Sequence, residues 1–150
     1  MPPSHPRDER DVHRLVARFA NSFDTKAWGD LTGCLADTVH TDYSDLRGTR
    51  PEAMPRERFV ELRRQALEPL QTHHLAGNVE VDLQDGEGSV RASMVIYRRR
   101  PSGAALNTHC LYLFHVRKRD GAWRIDSIVQ KVLWSDGDPA IHRGIVKRSP

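Results

Sequence analysis

At His73 the spacing of apolar residues changes from helical to alternating, and this one change divides the chain into two kinds of structure. Before it, Val12, Leu15, Val16, Phe19, Ala20 and Phe23 recur every three or four residues, the mark of a helix with one buried face. Asp8 or Asp11 could cap that helix. Trp28, Leu31, Cys34 and Leu35 outline a short second helix. Phe59, Leu62, Ala66 and Leu70 outline a third, with Pro55 suited to its first turn and Pro69 ending or bending it. Thr38 to Tyr43 reads as a strand among these helices, followed by a loop through Gly48 and Pro51.

After His73 the period is two. Leu75, Val79, Val81 and Leu83 share a face up to a turn at Asp85-Gly86, and Val90, Ala92, Met94 and Ile96 form the next apolar face. Strands from Asn107 to Lys118 and from Trp123 to Trp134 flank Asp120-Gly121, a strong hairpin signal. The order predicts an α+β fold, with about three N-terminal helices on one face of a curved antiparallel sheet. A chain of 150 residues suits one core. The proline-rich residues 1–9 read as a flexible arm, 10–134 as the single domain and 135–150 as an irregular basic tail.

Composition narrows the partners. The formal charge is +3, and acids alternate with bases along most of the chain, so the run Tyr97-Arg98-Arg99-Arg100 reads as a solvated strand end rather than a nucleic-acid site. No apolar run approaches the roughly 20 residues of a membrane span. The start is polar and lacks a signal-peptide core, so a cytoplasmic protein is expected. Cys34 and Cys110 belong to no C-x-x-C pair and read as small buried thiols.

Polar residues on apolar faces are the candidates for chemistry. Asp24 lies four residues after Ala20 and continues the first helix's apolar face, yet it is equally placed to cap the next helix. In Thr72-His73-His74 only one histidine can easily face inward. Simple alternation chooses His73 with Leu75, whereas a bulge at Gly77 would bring His74 to the face of Val79 and Val81, and periodicity leaves both open. Asn107 and His109 share a face with Leu111 and Leu113. Counting outward from a two-residue turn pairs His115 with Asp126, as a surface pair, and sets His109 opposite Val132, where it needs a partner such as Asp24 or Tyr43. Tyr43 ends a strand, with its phenol either in a pocket or in solvent.

The runs ANSFDTKAWGDLTGCLADTVHTDYSDL, EAMPRERFVEL and THHLAGN, with RDGAWRID further on, resemble the scytalone dehydratase family over roughly residues 10 to 134. That family sits in the nuclear-transport-factor-2-like group with SnoaL-like polyketide cyclases and hexachlorocyclohexane dehydrochlorinase. The resemblance implies a cone-shaped fold enclosing a deep pocket, a homo-oligomer (trimer or dimer), a small cyclic substrate and no cofactor. It places the family's aspartate on Asp24, its catalytic histidine on His74, turned inward, and its water-holding tyrosine on Tyr43. The sequence departs from the family in two places. Phe23 stands where a second tyrosine is usual, and the second catalytic histidine aligns nearer Asn107 than His109.

The expected site is therefore Asp24, His74, His109 and Tyr43 as catalytic residues, with Phe23, Leu62, Asn107 and Val132 against the substrate. Asp24 would fix the tautomer of His74, which would take a proton from a carbon next to a carbonyl, with Tyr43 stabilising the enolate oxygen. The product would be dehydrated, isomerised or cyclised. A ligand carrier or a protein-interaction module of the same fold is the rival reading. A metal held by His74, His109 and Asp24 has no closely spaced ligand motif behind it, and no metal is expected.

Overall fold

The computed structural model describes residues 5–142. The first helix, α1, runs Pro6–Asp24, earlier than the expected caps at Asp8 or Asp11. Pro6 supplies a pre-set first helical residue, and the His5 ring accepts from the Arg7 N–H. Asp8 instead sits in the first turn, where its carboxylate suits the helix dipole and accepts from Lys118 Nζ at 2.9 Å and Trp123 Nε1 at 3.0 Å. The arm expected over residues 1–9 is thus helical from Pro6 onward. The periodic residues of α1 are its buried face: Val12, Leu15, Val16, Phe19, Ala20 and Phe23 all lie in the core.

Next come α2 (Trp28–Cys34), β1 (Leu35–Asp42), a single turn α3 (Ser44–Arg47), β2 (Glu52–Pro55) and α4 (Arg56–Leu67). Four long strands follow: β3 (Gln71–Gln84), β4 (Glu87–Arg99), β5 (Ala105–Arg119) and β6 (Ala122–Gly137). The sheet order is β2-β1-β6-β5-β4-β3. All neighbours are antiparallel except β1 and β6, which run parallel because the chain leaves β1 and returns to its side through the rest of the domain. The segment before Pro55, expected as loop, is strand β2, and Pro55 lies just before α4 rather than inside it.

The two Asp-Gly turns take left-handed backbone at both residues, φ 54° and 78° at Asp85-Gly86 and 51° and 78° at Asp120-Gly121, the geometry that matches strand twist in tight hairpins. In β3 the register against β4 shifts between Gly77 and Glu80, and Asn78 carries the positive φ of 47°. That bulge puts His74 and Ala76 on the face that Val79, Val81 and Leu83 continue, and leaves His73 and Leu75 outside.

On β5 the inward face is Leu106, Thr108, Cys110, Tyr112, Phe114 and Val116. Phe19 of α1 packs edge-on against Tyr112 and Phe114, with centroids 6.2 and 5.2 Å away. Leu75, Leu113, Leu133 and Trp134 remain exposed on the sheet. Both cysteines are free and buried, as expected. The expected domain end at Trp134 falls short, since β6 continues to Gly137 and a short 3-10 turn, Pro139–Ile141, buries Ile141 and His142. The rest of the expected tail lies outside the described residues.

Candidate active site

The end of α1 delivers Asp24 to the first residues of β3. There the carboxylate accepts three hydrogen bonds: from Thr72 Oγ1 at 3.0 Å, from the His74 backbone N–H at 2.7 Å and from His74 Nδ1 at 2.7 Å. The reading of Asp24 as a cap for the next helix is not realised, because its oxygens are committed to β3. A carboxylate can only accept here, so the proton resides on Nδ1 and leaves Nε2 as the basic nitrogen. His74 is 6% exposed. Burial pushes its pKa below the ordinary 6.5, and the hydrogen bond and charge of Asp24 only partly oppose this. Phe23 stacks on the imidazole, centroids 4.8 Å apart at 20°, fixing the ring plane.

The His74 ring lines an interior cavity with Phe23, Tyr43 and Ile96. Tyr43 is buried, its ring stacked near Phe59 and edge-on to Tyr112, and burial raises its phenol's pKa. The same cavity is lined by Arg47, Arg63, Tyr112, Gln130 and His142, which sequence reasoning did not single out, and by Arg98, which is buried on the inward face of β4 rather than solvated as its run suggested. Its volume is about 20 Å³, room for one water. Polar side chains of arginine and glutamine fill much of the interior.

The structure leaves five expected residues out of that cavity's lining, among them Asp24, which reaches it only through its hydrogen bond to His74. His109 is on the sheet's outer face, stacked on Trp134 at 4.3 Å with Nε2 3.8 Å from Asp136. It pairs with Trp134, not Val132, because β5 and β6 slip register at His115/Val116 and again at His109/Cys110. Asn107 shares this outer face and borders a separate groove of about 460 Å³ with His73 and Tyr97. Leu62 packs against the core, while its neighbour Arg63 takes the cavity wall. Val132 is half-buried, and its backbone N–H donates to Asp45 Oδ2 at 2.6 Å. His115 and Asp126 do meet through their side chains, at 2.6 Å on the outer face, although the cross-strand partner of His115 is Ser127 rather than the Asp126 of the count.

A concavity of about 670 Å³ lies away from the dyad among Asp37, Arg56, Arg117, Arg124 and Asp126. Among the described residues no group of three His, Cys, Asp or Glu side chains is arranged to hold a metal ion. No helix in that range is long and apolar enough to cross a membrane.

Comparison with known proteins bears on this arrangement. The SnoaL-like domain family matches residues 5–129. The scytalone dehydratase-like protein claB of Passalora fulva is 25% identical, with 85% of this chain and 86% of that protein aligned. Among solved structures, a Kribbella flavida protein superposes with a TM-score of 0.83 at 18% identity, covering 87% of this chain and 93% of its own. A type 2 hexachlorocyclohexane dehydrochlorinase superposes with a TM-score of 0.76 at 14% identity, over 91% of this chain and 92% of its own. The α+β cone and the match over most of its length together show that the chain belongs to the SnoaL-like family, within the nuclear-transport-factor-2-like fold.

Proposed function

We propose that this chain is a cofactor-independent lyase of the dehydratase type, acting on a small cyclic hydroxy-ketone. The observation that carries the reading is the 2.7 Å hydrogen bond from His74 Nδ1 to Asp24, inside the cone, with the carboxylate tied down by two further donors. Two relatives support it by name, one a scytalone dehydratase-like protein and one a dehydrochlorinase, since both names describe removal of HX across a carbon–carbon bond.

In this scheme His74 Nε2 takes the proton from the carbon next to the carbonyl. Asp24 steadies the imidazolium that forms, and Tyr43, directly or through a water, donates to the enolate oxygen. The enolate then expels hydroxide from the neighbouring carbon. Because Asn107 and His109 point to the outer face, the proton for that leaving group returns from the His74 imidazolium, giving water and the unsaturated ketone. Isomerisation or cyclisation would share the first step and differ only in what the enolate does next.

The test is a screen of cyclic β-hydroxy-ketones for elimination, read by the ultraviolet absorbance of the conjugated product, with His74→Gln beside the parent. Elimination by the parent that drops in the variant supports the reading, and equal rates overturn it. The small size of the interior cavity favours one rival, a binding module of the same fold. Saturable ligand binding with no turnover across the screen would select it.

A further inference from the structure

The interior that holds the dyad is unusually rich in positive charge. Arg98 of β4 is 3% exposed, and its Nη1 donates to Thr108 Oγ1 at 2.8 Å while its buried Nε has no acceptor. Arg63 of α4 lays its guanidinium over Tyr43 and Phe59, 5.3 and 5.6 Å from the ring centroids, and its buried Nε also lacks an acceptor. Arg47 stands on the other side of Tyr43, at 5.7 Å. Among the described residues lining this cavity there is no Asp or Glu; Asp24, bonded to His74, lines the adjoining groove with Arg98 but makes no ion pair with it. Opposite, Gln130 is 1% exposed, and its Nε2 reaches Tyr112 Oη at 3.4 Å while its Oε1 has no donor.

Buried cations are normally matched by an anion, because the desolvation they suffer must be offset. Here burial depresses Arg98 to about 10, so it stays charged at neutral pH. The missing partners have a definite chemistry. Two orphan guanidinium N–H groups call for a planar acceptor such as a carboxylate, which matches the guanidinium fork. One orphan carbonyl oxygen calls for a hydroxyl donor.

We propose that the ligand of this cavity is a small cyclic hydroxy-carboxylate, its carboxylate clamped by Arg98 and Arg63 and a ring hydroxyl donated to Gln130 Oε1. The second half of its use, deprotonation beside His74, rests on the dehydratase reading above; the clamp itself does not. The carboxylate enters by displacing guanidiniums that now rest on Tyr43 and Phe59, a rotation of long side chains rather than of the fold. The substrate would thus differ in charge from a neutral cyclic ketone.

The experiment compares 2-hydroxybenzoate with 2-hydroxybenzamide, which keeps ring and hydroxyl but removes the charge. Binding is followed by titration calorimetry and thermal shift at pH 7 and constant ionic strength. The acid is expected to bind at least about tenfold tighter than the amide. Arg98→Met and, as a second variant in case the first unfolds, Arg63→Met are each expected to erase that preference. Arg91→Gln, which removes an exposed arginine paired with Glu80, is expected to keep it. An amide that binds as well as the acid, no binding of either, or a preference that survives both interior variants overturns the proposal. If His74→Gln abolishes elimination of a neutral hydroxy-ketone while the acid shows no preference, the substrate class alone is wrong. If the acid is preferred but no turnover depends on His74, the lyase reading falls and the anion clamp stands.

Discussion

The molecule contains the same side-chain pair twice, and the two copies behave as different chemical objects. His74 meets Asp24 at 2.7 Å and His115 meets Asp126 at 2.6 Å, each through Nδ1. The His74 side chain is 5% exposed and that of His115 36%. Asp24 is fixed by Thr72 and by a backbone N–H, whereas Asp126 also faces Arg117 across 3.7 Å on the outer face of the sheet. Distance alone therefore does not distinguish the two pairs. The inner pair has a ring stacked on Phe23, a depressed pKa and a place in a cavity wall; the outer pair lies partly exposed on the sheet.

The sharpest way to break this comparison is to disable each pair in turn. Asp24→Asn or His74→Gln is expected to lower the elimination rate by about 10²–10⁴, the usual weight of a positioned base, while His115→Gln changes it less than about twofold. Steady-state rates on one substrate decide it, and an equal loss from His115→Gln would erase the distinction. Two aromatic–histidine stacks extend the contrast to stability. Phe23, 4% exposed, stacks on His74, and Phe23→Ala is expected to cost about 3–5 kcal/mol by denaturant titration. Trp134, 54% exposed, stacks on His109, and Trp134→Ala is expected to cost no more than about 1 kcal/mol.

Acid should act on the inner pair in a set direction. Because burial lowers the His74 pKa, the unfolded chain takes up that proton first as pH falls. Its contribution to stability is full above the ordinary 6.5 and declines as pH drops from there toward the depressed folded value. The acid limb of kcat/KM is expected in that same window, below 6.5, and a limb above it would contradict a buried neutral base. The smallest effect concerns the thiols. Burial raises Cys34 and Cys110 to about 11, so neither should react measurably with a disulfide reagent at pH 8 until the protein is unfolded.

How much of this was legible in the sequence varied with the local geometry. The change of period at His73, the two Asp-Gly hairpins and the buried face of α1 were open to reading, because apolar spacing and turn chemistry act locally. His74 was not readable from period alone, since the Gly77–Glu80 slip reverses the phase of everything before it. The family resemblance, not alternation, pointed to the inward histidine. His109 misled for a related reason. β5 carries apolar residues on both faces, and two slips against β6 move the pairing that a plain count assumes.

Arg98 shows the opposite failure. Val90, Ala92, Met94 and Ile96 set an inward phase whose next member is Arg98, so alternation alone would have placed it inside. Its neighbours Arg99 and Arg100 made the run look like a solvated end. Arg63 is similar, standing four residues from both Phe59 and Leu67 on the buried side of α4. A charged residue in phase with a buried face is a better signal than the composition of the run that contains it.

The central claim is that His74 is a neutral base with its proton on Nδ1, toward Asp24, and its lone pair on Nε2, toward the cavity. A ¹⁵N NMR pH titration of the histidines, with His74 assigned by its loss in His74→Gln, reads this without any substrate. The account expects the Nε2 signal of His74 to be that of an unprotonated nitrogen at pH 7, with a midpoint below 6.5. A proton on Nε2 at pH 7, or a midpoint above 6.5, would contradict it.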